Sequence, residues 1–187
     1  MNLFFLIITL IILQRMVELV IAKRNERWMK SQGAMEFGKE HYRWIVLVHG
    51  LFFISYILEV LILHKPLSPV WPIVLALLLM TQAARVWALK SLGMFWNTKI
   101  IVLPNAKVVR KGPYRYIKHP NYAIVAAEFL LIPLLFQAYV TAILFSILNA
   151  VILAVRIPAE EKALRSLTEY ERVFADNSVI TDDLERI

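Results

Sequence analysis

Long apolar runs alternate with short polar connections along this chain. Five runs stand out, at about 3–22, 43–63, 70–89, 121–137 and 139–155. Each is near the roughly 17–25 residues that a helix needs to cross a bilayer. None shows the two-residue alternation of a barrel strand, and backbone groups in hydrocarbon must be bonded internally, so the runs predict helices. The fourth and fifth meet at Gln137 and Ala138, which predicts a tight helical hairpin, with Pro133 kinking its first arm. Two stretches break the pattern. "RNERWMKSQGAMEFGKEHYRW" is polar and holds Gly33 and Gly38, which predicts an interfacial helix with a turn. Residues 97–113 carry two β-branched runs around "PNA", which predicts a short hairpin or an extended loop.

Composition agrees with the helices. Of 187 residues, 59% are hydrophobic, against about 45–50% in soluble domains. An all-α integral membrane protein follows, with about five transmembrane helices in one domain (a helical hairpin over 1–70 and a core over 71–187) and a C-terminal helix beyond the last span. Cysteine is absent, which excludes disulfides, thiolate metal sites and a cysteine nucleophile. The first run lacks a basic start and a small-residue cleavage site, so it reads as a retained helix.

The net charge of +7 sits in the connections. The stretch from Lys23 to Arg43 holds Lys23, Arg24, Arg27, Lys30, Lys39 and Arg43, and that from Lys90 to Lys118 holds Lys90, Lys99, Lys107, Arg110, Lys111, Arg115 and Lys118. The tail adds Lys162, Arg165, Arg172 and Arg186, whereas "HKPLSP" has Lys65 alone and the fourth connection has none. This alternation predicts an N-terminus outside and a C-terminus in the cytoplasm. The charge therefore reads as topology rather than as a nucleic-acid surface.

Two constellations carry chemistry. In "GPYRYIKHPNY", Pro120 pushes His119 toward extended geometry, and Asn121 is placed to cap the helix that follows. His119 and Tyr122 then stand at a helix N-terminus, which favours an anion. In "RIPAEEKAL", Arg156 and Glu160 are one turn apart and can pair, while Pro158 suits the start of a new helical turn. The bland readings are a capped helix start and an exposed ion pair. Both motifs, however, fall at the same end of one helical hairpin, so they are close in space. Elsewhere, Arg15 and Glu18 are spaced to neutralise each other or to snorkel, Glu59 and Arg85 read as interfacial, and Glu128 is a lone carboxylate in mid-membrane, functional or structural. No metal-ligand spacing and no G-x-G-x-x-G appear.

Together, "GPYRYIKHPNY" and "RIPAEEKALRSLTEY" resemble the isoprenylcysteine carboxyl methyltransferase family in order and separation, over roughly residues 71–175. "RNERW" and "GAMEFGKEHY" are similar to its bacterial branch. The resemblance implies S-adenosylmethionine as methyl donor. His119, Pro120 and Tyr122 match the family's H-P-x-Y; Glu160, Glu161 and Leu164 match its E-E-x-x-L; Tyr170 matches the tyrosine that follows. His119, Pro120, Tyr122, Glu161, Leu164 and Tyr170 are then expected at the cofactor, with Arg156 and Glu160 nearest the methyl acceptor. The acceptor implied is a lipophilic carboxylate or hydroxyl, of isoprenylcysteine or of a long-chain phenolic or pyrone lipid, entering from the bilayer of a bacterial cytoplasmic membrane. Ile124 departs from a frequent glycine, as does "SLTEY". Tyr114, Tyr116 and Tyr122 offer rings to a cationic sulfonium. Two other classes stay open on the residues alone: a membrane reductase whose nicotinamide cofactor meets "VVRKGPYR", and a non-catalytic membrane subunit.

Overall fold

The computed structural model describes residues 2–175. Its helices are α1 (Asn2–Ser31), α2 (Lys39–Ile62), α3 (Trp71–Leu92), α4 (Pro120–Leu134), α5 (Tyr139–Leu167) and the short α6 (Tyr170–Ala175). Two three-residue strands, β1 (Met35–Phe37) and β2 (Ile100–Val102), and two short 3₁₀ turns, Gly93–Phe95 and Gly112–Arg115, join them. The chain is an all-α integral membrane protein. α1, α2, α3 and α5 are long and apolar enough to span a bilayer, and α4 is a shorter apolar helix of 15 residues. Large apolar side chains along α1, α2, α3 and α5 stay exposed, as lipid-facing positions do. Arg186, counted in the basic tail, lies outside the described residues.

α1 corrects the expectation of a separate interfacial helix. Its 30 residues run unbroken through "RNERWMKS", a length of about 45 Å, so its last turns stand clear of a hydrocarbon core of about 30 Å. Those residues are good helix formers and the first left-handed position is Gly33, at φ 89°. The chain then turns into β1 rather than into more helix.

β1 also decides between the two forms expected of the second stretch, in favour of the extended one. Residues 97–113 make no hairpin of their own. Their strand β2 pairs antiparallel with β1, Glu36 opposite Ile101. Phe37, Ile100 and Val102 pack on Ala159, Ala163 and Leu164 of α5, so this strap is apolar toward the helix end. Lys99 bonds Glu26 at 2.8 Å, and Lys30 bonds Glu26 at 2.5 Å and Glu36 at 2.6 Å, which ties the strap to α1. Burial raises the Glu36 carboxyl, but Lys30 and Lys99 outweigh it and hold the group below the usual carboxylate range. The bond to Glu26 leads the effects that lift the Lys99 ammonium above its usual value.

At the opposite end of the bundle the core is aromatic. The Phe52 and Phe129 rings meet edge to face at 4.7 Å, and Phe4 meets Tyr56 and Phe136 at 5.3 and 5.1 Å. The α4–α5 hairpin turns at Gln137, whose φ is 53°. Pro133 sits inside the last turn of α4, and its carbonyl accepts from Phe136 and Ala138. Ala138 cannot cap α5, so Glu59 does so from α2, accepting from the Thr141 N–H and hydroxyl, each at 2.7 Å.

Between the two ends lies a buried ion cluster. Glu128 accepts from Arg15, from Arg85 and from Gln82, and Glu18 accepts from Arg15 at 2.7 Å and Arg85 at 3.2 Å. Arg85 is thus not interfacial: it is 3% exposed and joins α1, α3 and α4. Two arginines and two glutamates balance in charge, which is what permits them in hydrocarbon.

Candidate active site

The basic connections, the strap and the ends of α1, α4 and α5 gather at one end of the bundle. α4 begins there because Pro120 suits its first position, where a missing N–H costs nothing. Its cap residue is His119, at φ −128°, and no side chain bonds the cap. This corrects the expected cap: Asn121 lies inside the first turn, and its Oδ1 is buried without a hydrogen-bond partner among the described residues. α5 reaches the same end unbroken. Pro158 lies inside it and begins no new helix, so Arg156, Glu160, Glu161 and Leu164 project from one continuous rod.

The two motifs meet through Tyr122. Arg156 Nε donates to the Tyr122 hydroxyl at 2.8 Å, and that hydroxyl donates to Glu160 Oε2. The arginine and glutamate that share a helix face are therefore joined through a phenol from α4. The Arg156 guanidinium also lies 5.8 Å from the Tyr122 ring centre and donates to the Thr98 carbonyl at 2.5 Å. Thr98 is fixed from α1: Asn25 bonds the Trp96 carbonyl at 2.7 Å, and Asn97 bonds the Ala22 carbonyl at 3.2 Å. Its role had no signal in the sequence, because a backbone carbonyl is offered by every residue.

A cavity of about 460 Å³ opens over this constellation. Thr98, Tyr114, His119, Asn121, Tyr122, Arg156, Glu160, Leu164 and Tyr170 all line it. Glu161 and Pro120 are not on its wall. Glu161 stands behind His119, 3.0 Å from its Nε2, and also accepts from Arg165 at 3.1 Å. The rings of His119 and Tyr122 stack at 5.5 Å. Burial, then the charge of Glu160, raises the Tyr114 phenol well above its usual value. Burial, with Glu161 and Glu160 beside it, pushes Tyr170 up to about 12. Both phenols stay protonated at neutral pH next to the glutamate. Tyr116 is different from its neighbours in the motif: it is 75% exposed and offers no ring to the cavity. Ile124, where a glycine was expected, is buried against Ala88 and Tyr114.

The cavity continues down between α1, α2 and α5, past Ile45, Val46, Ile152 and Leu153 to His49 and Asn149, and beyond them to Gly50 and Phe53. Leu19 of α1 and Val46 of α2 line it while remaining 52% and 54% exposed, so the wall is open sideways at that level.

The family model for isoprenylcysteine carboxyl methyltransferases matches residues 74–166, from α3 to the end of α5. YpbQ, an uncharacterized protein of Bacillus subtilis strain 168, is 55% identical over 162 residues, covering 87% of this chain and 96% of that protein. An uncharacterized protein of Haemophilus influenzae is 30% identical over 154 residues, covering 82% and 90%. No solved structure gives a significant match. The chain belongs to the isoprenylcysteine carboxyl methyltransferase family, a family of membrane methyltransferases.

Proposed function

We propose that the protein uses S-adenosylmethionine to methylate a carboxyl or hydroxyl oxygen of a lipophilic acceptor. The observation that carries this is the Arg156–Tyr122–Glu160 chain on the wall of a cavity that is polar at one end and open to lipid at its side. The residues suit a polar donor molecule. Asn121 and Trp96 line the cavity, and their Oδ1 and Nε1 are buried without hydrogen-bond partners among the described residues, an acceptor and a donor left for a polar ligand. His119, held by Glu161, together with Asn121, Tyr122, Leu164 and Tyr170, would hold the cofactor, which supplies an electrophilic methyl on a sulfonium.

The protein's own part is alignment and charge. The acceptor oxygen forms the new C–O bond as the C–S bond breaks, in line. A carboxylate has a pKa near 4 and arrives ionised, whereas a phenolic hydroxyl near 10 must lose a proton. Arg156 stabilises either anion, and Glu160 takes the hydroxyl's proton. The loop charges support placing this end in the cytoplasm of a bacterial cell, so that the donor enters from water and the acceptor from the bilayer past Leu19 and Val46.

The test uses purified protein in nanodiscs. Calorimetry with S-adenosylhomocysteine should give saturable binding, and membrane lipid extracts incubated with deuterated donor should yield a methylated lipid by mass spectrometry. No binding of the product cofactor, or label appearing in no lipid, would sink the reading.

A further inference from the structure

Arg156 is 6% exposed, and two corners of its guanidinium are already held. Nε donates to the Tyr122 hydroxyl and Nη2 to the Thr98 carbonyl. Both acceptors are neutral oxygens, and no carboxylate pairs with this arginine directly among the described residues. Arg156 lines the cavity, and its Nη1 makes no hydrogen bond among the described residues. Acceptors at two corners of a rigid planar fork fix its plane. Because they are neutral, they leave its positive charge to a ligand, and a buried charge without a carboxylate favours an incoming anion.

The Thr98 carbonyl needs a hold of its own. Residues 96–99 lie between the turn Gly93–Phe95 and β2, outside any helix or strand. Backbone in such a stretch is fixed by the side chains that bond it, and here the N-terminal helices supply them. Asn25 of α1 is 3% exposed and donates to the Gly93 carbonyl at 3.1 Å as well as to that of Trp96. Asn97, bonded to the Ala22 carbonyl of α1, accepts from the Lys99 N–H at 3.0 Å. Tyr42 of α2 shares a hydrogen bond with the Thr98 hydroxyl at 3.2 Å, and the Lys99 ammonium lies 5.6 Å from its ring centre. Thr98 is thus bracketed on both sides and held at its own side chain. Asn25 and Tyr42 fall in "RNERW" and "KEHYRW", outside the residues 74–166 that match the family.

We propose that Asn25 and Tyr42 are positioning residues of the active site. They hold the Thr98 carbonyl against Arg156 Nη2 and so aim the unbonded corner of the guanidinium at the acceptor oxygen. They take no part in bond making. The first two helices therefore complete the site rather than only anchoring it. The effect on turnover rests on the methyltransferase reading above; the order of the guanidinium does not. Misplacing a reacting group by about 1 Å can cost about 10²-fold in rate, so a small shift of this carbonyl is enough to be measured.

Two readouts test this separately. The first is nitrogen NMR of protein labelled with ¹⁵N-arginine in nanodiscs. A guanidinium bonded at two corners turns slowly about its C–N bonds and gives separate Nη resonances, whereas an unheld one averages them. Arg156 is assigned by its loss in Arg156→Lys, and its Nη resonances should be separate in the unmodified protein. Tyr42→Phe and Thr98→Val cut the same bond from opposite ends, and Asn25→Ala removes the two bonds to the backbone. Each should merge the Arg156 resonances, while Thr98→Ser, which keeps the hydroxyl, should leave them separate. Arg15 and Arg85, held by Glu18 and Glu128, should stay resolved throughout and so report an intact fold. If Asn25→Ala disturbs these too, Tyr42→Phe and Thr98→Val decide. The second readout is label transfer from deuterated S-adenosylmethionine to membrane lipid extract. At saturating donor the rate should fall about 10- to 100-fold in Tyr42→Phe and Thr98→Val. The double variant should be no slower than either, since both remove one bond. S-adenosylhomocysteine affinity should not change, and Thr98→Ser should restore the rate. Separate Arg156 resonances in every variant, averaged ones in the unmodified protein, or full transfer in variants that have lost the order overturn the proposal. Order lost in the variants, with no transfer even by the unmodified protein, keeps the hold on Arg156 and sinks the assigned reaction.

Discussion

Glu128→Leu is the sharpest test of how this bundle is held together. The carboxylate accepts from Gln82 at 2.8 Å, from Arg85 Nε at 3.0 Å, from the Arg85 terminal nitrogen and from Arg15. The Arg85 and Glu128 side chains are 3% and 4% exposed, so water screens little of this. Removing it leaves two guanidiniums on Glu18, at 2.7 and 3.2 Å, with one uncompensated positive charge inside the membrane. Breaking one side of a buried pair costs about 3–5 kcal/mol, and the stranded Gln82 amide adds about 1 kcal/mol. For a chain of this size each kcal/mol moves Tm by about 2–4 °C, so the variant should melt roughly 10–20 °C lower. Thermal unfolding in detergent, followed by tryptophan fluorescence, measures it. The double variant Glu128→Leu/Arg85→Met restores neutrality, and should melt well above the single one, because a buried pair replaced by apolar groups is often near neutral. A single variant that loses less than about 1 kcal/mol, or a double variant that melts below it, refutes the account.

Gly112→Ala should cost about 1–3 kcal/mol in the same assay, since φ there is 58° and a Cβ would strike Ser91 Oγ and come within 2.9 Å of Trp87 Nε1. Wild-type melting would mean that the turn leading to Tyr114 has slack. Glu160→Gln should lower turnover of a hydroxyl acceptor by about 10²-fold, with the loss shrinking as pH rises toward the acceptor's own pKa near 10; a carboxylate acceptor should show no such rescue. The β1–β2 strap should respond to pH at both limits. Glu36 titrates below its unfolded value, so its contribution is complete above about 4.3 and fades as pH falls through the folded value. Lys99 titrates above its unfolded value, so its contribution is complete below about 10.4 and fades as pH rises through the folded value. Amide exchange at Ile100–Val102 should accordingly be slowest between about pH 5 and pH 10, after correction for intrinsic rates, and protection that ignores both limits would show the ion pairs to be idle. Single cysteines at Pro66 and Lys107 should label from opposite sides of the membrane, Lys107 only after permeabilisation; the reverse would invert the proposed orientation.

What the sequence determined by itself is what local chemistry carries. Apolar runs without strand alternation can only be helices in lipid, and their ends fall where polar residues begin, so the hairpin at Gln137 and Ala138 was legible. The order of "KHPNY" and "RIPAEEKAL" along one hairpin was enough to place both motifs at one end. The packing of the helices decided the rest. Pro158 and Asn121 were read by their commonest local roles, and the tertiary structure overrode both: α5 runs through the proline, and the asparagine faces a cavity. Arg85 looked interfacial because its partners, Glu18 and Glu128, lie 67 and 43 residues away. β2 found its strand partner in residues 35–37, a pairing no local window contains. Transfer into lipid depends on each residue and its near neighbours, whereas a hydrogen bond depends on the rotation and depth of two helices, which only their mutual packing sets.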